Sequence, residues 1–176
     1  MRSNSGLAFL ALVFLAGGAS SETAINSSHG NNAEVKRESS ASRANSTVES
    51  RTLSVRIDRP FATVYEFLVN PANWNQWAFG LGKSLRQSNG GWIADSDGGI
   101  VEVRFTPRND FGVVDHTVIR PSGATIYVPM RLIINGNRCE LLFTLFREPG
   151  MTDGRYNSDA NFVQRDLNGL KELLEK

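Results

Sequence analysis

Near the C-terminus an apolar run, Leu141, Leu142, Phe143, Thr144, Leu145 and Phe146, breaks at Pro149 and Gly150 and gives way to one long amphipathic helix. From Tyr156 the apolar residues recur at Ala160, Val163, Leu167, Leu170 and Leu174. These steps of three and four hold a single stripe through roughly five turns at about 3.6 residues per turn. The stripe must be buried. The segments before it read mostly as consecutive strands, so the helix is expected to lie across a curved antiparallel sheet, an arrangement able to leave a cavity between the two.

Leu53, Val55 and Ile57 alternate with Ser54, Arg56 and Asp58, the period-2 signature of a half-buried strand. Pro60 suits the first turn of a helix in which Phe61, Val64, Tyr65 and Leu68 fall at helical spacing, until Asn70 and Pro71 stop it. Pro71 starts a second, short helix whose Trp74 and Trp77 share a face. Beyond Gly82 short segments are punctuated by turn residues: Ser88 to Gly91, Asp95 to Gly99, Pro107 to Gly112, Pro121 to Gly123 and Asn135 to Asn137. Val101, Val103 and Phe105 alternate with Glu102 and Arg104, a pair expected to bond across strands, and Val128, Met130, Leu132 and Ile134 form a second alternating set. Asn135 and Gly136 predict a type I′ hairpin joining a strand over 126–134 to one over 140–146.

The opening strand running into Pro60, Phe61, Ala62, Thr63, Val64, Tyr65, Glu66, Phe67 and Leu68, the segment from Pro71 to Trp77, and the block from Phe143 through Arg147, Pro149, Gly150 and Met151 to Asp166, Leu167, Leu170 and Lys171 resemble the SRPBCC superfamily. Its members include START-like proteins and polyketide cyclases. The likeness spans nearly all of residues 51–176 and lies in element order; no motif in it is diagnostic of a reaction. It implies an α+β helix-grip fold, a curved antiparallel sheet of about seven strands wrapped around the C-terminal helix, with two short helices after the first strand. A deep cavity for a hydrophobic molecule is implied with it. Carriers, cyclases and co-chaperone-like domains share that scaffold, so function must be argued from the site.

Arg2, an uncharged apolar run from Leu7 to Ala16 and the small residues Gly17 to Ser20 have the three parts of a secretory signal, and predict a signal peptide over 1–20. The apolar run is well short of the roughly 20 residues that span a bilayer. Residues 21–50, rich in Ser, Asn, Ala, Thr and Glu, carry no sustained apolar period and read as a disordered tether. Sequons at Asn26 and Asn45 matter only in a eukaryotic host. Residues 51–176 are one domain of ordinary size. Cys139 is the sole cysteine, so no intramolecular disulfide forms and the thiol reads as a small apolar filler. The expected setting is periplasmic or secreted, with no membrane span left after signal cleavage. With 19 basic and 18 acidic residues interspersed and a net charge of +1, no nucleic-acid surface is expected.

His116 shares a strand face with Val114 and Val118, while Asp115 points the other way. On a concave face its imidazole would orient a ligand carbonyl or move a proton; otherwise it is a structural histidine bonded to a neighbouring strand. Arg131 lies opposite the apolar Val128, Met130 and Leu132 set: inward it would bind a ligand carboxylate, outward it is a solvated sheet residue. Trp74, Trp77, Phe79 and Trp92 are candidates for an aromatic rim, and Phe105, Tyr127 and Phe143 for further lining, though such aromatic residues are more often plain core. Metal-ligand pairs, nucleophile elbows and phosphate loops are missing by spacing, so no metal or cofactor is expected.

The leading expectation is an exported protein that holds a lipid, isoprenoid or polyketide-like molecule between helix and sheet. The alternative that the resemblance suggests is a cyclase- or dehydratase-type lyase or isomerase, with His116 as acid–base group and Arg131 or Tyr127 as its partner. A third is a protein-interaction module.

Overall fold

The computed structural model describes residues 47–176. The expected signal peptide, the sequons at Asn26 and Asn45 and nearly all of the expected tether lie outside the described residues. Strand β1 (Ser50–Ile57) starts three residues ahead of the expected Leu53, and just before it the Arg147 N–H donates to the Glu49 carbonyl at 2.8 Å. Helix α1 (Phe61–Leu68) and two 3₁₀ segments, Pro71–Gln76 and Leu81–Ser84, follow. Then come seven strands: β2 (Arg86–Ser88), β3 (Gly91–Ala94), β4 (Val101–Phe105), β5 (His116–Ile119), β6 (Thr125–Val128), β7 (Met130–Asn135) and β8 (Arg138–Phe146). The chain closes on α2 (Asp153–Leu174). This is the expected α+β arrangement, a curved antiparallel sheet holding a long C-terminal helix, with eight strands where about seven were expected.

The sheet consists of two antiparallel halves, β1-β8-β7 and β2-β3-β4-β5-β6. They meet at Pro129. Apolar alternation makes residues 126–134 read as one strand, but proline has no N–H to donate and interrupts the ladder. Ile126 and Val128 therefore pair with β5, whereas Met130 to Asn135 pair with β8. Across the corner the Thr144 N–H donates to the Pro129 carbonyl at 3.0 Å and the Val114 N–H to the Met130 carbonyl at 3.0 Å. Asp115 fastens both sides: its carboxylate accepts the Met130 N–H at 2.8 Å and the Tyr127 hydroxyl, and pairs with Arg131.

One turn differs from expectation. Gly136 has φ +64°, but among the described non-glycine residues only Asn89 takes a positive φ, so the β7–β8 turn fits type II′, with glycine first. The two-positive-φ geometry of type I′ occurs instead at Asn89 and Gly90, between β2 and β3. Glu102 and Arg104 do bond, at 2.6 Å, but along one strand rather than across two, because residues two apart share a strand face.

Helix α2 is capped by the Thr152 hydroxyl, which accepts the Arg155 N–H at 3.3 Å, and carries Asp153 in its first turn and Lys171 in its last, both favourable to the helix dipole. Its buried face is Tyr156, Asp159, Ala160, Val163, Leu167 and Leu170. This face packs into one core with Ile57, Leu68, Trp74, Met130, Leu141 and Phe143. Each fully buried aliphatic side chain contributes about 1.5–3 kcal/mol relative to exposure. Cys139 lies in that core, fully buried, its thiol pushed up by burial as suits an inert filler.

Candidate functional site

Two concavities flank Phe143. The outer one, about 460 Å³, is lined by β6, by β8 from Phe143 to Phe146 and by the turn that follows it. Ile126, Val128, Phe143, Leu145, Phe146 and Met151 supply its apolar wall. Arg120 and Glu148 stand together at its edge, the guanidinium bonding both carboxylate oxygens at 2.9 Å. Asp159 of α2 reaches it too, paired with Arg155 at 3.0 Å; burial raises its pKa and the guanidinium lowers it.

The inner cavity, about 50 Å³, lies under α2 between Val163, Asp166 and Leu167, the strand residues His116, Val118, Met130 and Phe143, and the segment carrying Trp74, Trp77, Ala78, Gly80 and Leu81. Phe143 is the lining residue common to both spaces. The local chain explains why the inner wall is held where it is. Asn70 caps the first 3₁₀ segment by accepting the Ala72 N–H at 3.1 Å, and the Trp74 indole donates to the Leu68 carbonyl at 3.0 Å. Trp74 thereby packs 5.1 Å from Trp77, 4.9 Å from Phe105 and 4.8 Å, edge-on, from His116. Gly82 backs this segment closely: a Cβ there would sit 2.7 Å from the Trp74 carbonyl.

Three polar atoms of this inner wall are buried and have no hydrogen-bond partner: Trp77 Nε1, His116 Nδ1 and Asp166 Oδ1. Native interiors rarely leave such groups unpaired, and each costs about 1–3 kcal/mol. Burial drives the His116 pKa from 6.5 down to about 3, so the imidazole is neutral at physiological pH. Asp166 moves the other way, from 3.8 to about 6, because burial outweighs the Gly80 backbone N–H, the Arg165 charge, the Phe79 backbone N–H and the Lys83 charge that hold it down. The cavity thus offers an obligate donor, a neutral imidazole and a carboxyl that changes protonation close to neutrality.

The candidate residues from the sequence divide among several places. Trp74, Trp77, His116 and Phe143 come together at the inner cavity. Phe105 packs behind Trp74 and His116, and Trp92 stands 6.3 Å from Phe105 on β3, neither touching either space. Phe79 is 42% exposed, with the Lys83 ammonium 4.9 Å over its ring. Tyr127 is half exposed at the outer cleft, and Arg131 is held by Asp115 rather than brought to His116. The unpaired His116 Nδ1 departs from the structural reading in which a neighbouring strand would satisfy it. Asp166 and Asp159 were not singled out as site residues. The signal was their spacing, seven residues apart on the apolar stripe of a helix, each one position before Ala160 or Leu167.

No protein-family model and no curated protein matches the chain. Solved structures do. DynU16, a protein of the dynemicin biosynthetic locus, superposes with a TM-score of 0.56 at 15% identity over 74% of this chain, which spans about half (48%) of DynU16. The Aha1 dimer from Colwellia psychrerythraea gives 0.56 at 15% identity over 72% of this chain and 96% of its own. Ara h 8.0201 gives 0.51 at 13% identity over 73% and 98%. At these identities the likeness is one of fold alone, and with its curved antiparallel sheet and long C-terminal helix the chain has a helix-grip fold.

Proposed function

We propose that this chain is an exported binding protein that takes an apolar small molecule, such as a lipid, isoprenoid or polyketide-like compound, into the cleft between β6 and β8. The observation that carries the reading is the cleft itself. Its volume of about 460 Å³ falls within the roughly 300–1,000 Å³ usual for small-molecule sites, and an apolar wall with a few charged groups at its edge is the composition such sites have. Export is supported by Arg2, the Leu7 to Ala16 run and the small residues after it. Burying about 300 Å² of apolar ligand surface contributes about 7 kcal/mol before association costs, which leaves affinity at micromolar or weaker from apolar contact alone.

Titration with a fluorescent apolar probe tests this. Binding is expected to saturate at one probe per chain and to be lost in Met151→Trp and Ile126→Trp, both of which fill the cleft. Retained binding in variants whose thermal unfolding matches the parent would overturn the assignment of the cleft.

A further inference from the structure

We propose that the inner cavity receives a neutral hydroxyl group at the end of an apolar molecule whose body lies past Phe143 in the outer cleft. This rests on the cleft reading above and names the chemistry of the ligand's polar end. The carrying observation is that one small cavity gathers three unpartnered polar atoms from three elements: Trp77 Nε1 from the first 3₁₀ segment's end, His116 Nδ1 from β5 and Asp166 Oδ1 from α2. Trp77 and His116 are each 3% exposed, so solvent does not satisfy them.

Their chemistry narrows what can sit there. An indole N–H only donates, so the guest must present an acceptor, which excludes an ammonium. A carboxylate would accept from Trp77, but it would be buried beside Asp166 with no cationic side chain lining the cavity. A hydroxyl fits both demands: its oxygen accepts from Trp77 while its hydrogen is given to Asp166 or His116. The protonation states agree, since His116 stays neutral and Asp166, near its midpoint around pH 6, can accept or donate. A volume of about 50 Å³ admits a hydroxyl and one or two carbons, a water needing about 10–15 Å³ on the same kind of measure. The remainder of the molecule has to lie elsewhere, and Phe143, common to both walls, is where the outer cleft adjoins.

The test compares octan-1-ol with its isomer heptyl methyl ether, which has the same atoms but no donor, and with octanoate at pH 8. The alcohol is expected to bind the full chain about tenfold to a hundredfold more tightly than either, as one or two added hydrogen bonds allow. Trp77→Phe should weaken the alcohol about tenfold and leave the apolar fluorescent probe unaffected. If that variant does not fold, the parent suffices: of three indole N–H resonances, that of Trp77 should shift with octanol, while that of Trp74, already bonded to Leu68, should not. Equal binding of alcohol and ether with no movement of the Trp77 signal overturns the inference and leaves the cleft reading intact. Octanoate binding as tightly as octanol also overturns it. Failure of every apolar probe removes the cleft reading, and this one with it.

Discussion

Replacing His116 with leucine isolates what it costs to keep a histidine neutral in this core. Burial takes its pKa from 6.5 to about 3, so between those values the unfolded chain carries a proton that the folded chain refuses. Where the unfolded state binds more protons, stability rises with pH; this contribution is therefore complete above 6.5 and is lost as pH falls towards 3. Between pH 7 and pH 4 about two and a half pH units lie inside that window, at about 1.36 kcal/mol each, or about 3.4 kcal/mol. Asp166 opposes this, since its raised pKa makes the folded state the better proton binder between 3.8 and about 6. The carboxylates of Asp58 and Glu66, held low by Arg138 and Arg108, also destabilise the fold on acidification. All three are present in both proteins, so the difference between them reports His116. Urea unfolding of the parent and His116→Leu at pH 7, 6, 5 and 4 is the assay. The variant's advantage should grow by about 3 kcal/mol from pH 7 to pH 4. Parallel stability curves would refute the claim that the imidazole is held neutral.

Two further substitutions probe the corner that shapes the outer cleft. Gly112→Ala places a Cβ against the Leu132 carbonyl at φ +69°, where no flexible side chain can give way, and should cost about 3 kcal/mol in chemical unfolding. Asp115→Ala strands the Met130 N–H and releases Arg131 and the Tyr127 hydroxyl; a loss of about 3 kcal/mol is expected, with weaker probe binding as β6 and β7 lose their common anchor.

The long helix was legible because an apolar stripe at helical spacing admits few other readings, and Tyr156, Ala160, Val163, Leu167 and Leu170 are all buried as the spacing required. The corner at Pro129 was hidden by that same kind of regularity. Val128, Met130 and Leu132 are all buried, so alternation runs unbroken across a residue where strand pairing changes partners. The site was half legible. Trp74, Trp77 and His116 stand out in sequence as aromatic or titratable residues, but their convergence depends on how the 3₁₀ segment folds back, which periodicity does not encode. Asp166 was masked because an acidic residue in a helix reads as solvated face. Its place on the apolar stripe of α2, one position before Leu167, sets it instead against the Phe79–Gly80 backbone. Phe79 shows the converse: a large aromatic residue that sequence marks as core or lining, yet left substantially exposed and outside both cavities.

The central claim is that this fold carries an apolar molecule, and native mass spectrometry tests it most directly. The protein, purified from its native host, would be weighed intact and again after denaturation, and any released compound identified. The account predicts a defined hydrophobic compound bearing a hydroxyl group, at close to one per chain. A protein that is empty as purified and stays empty when offered apolar alcohols at saturating concentration would contradict it.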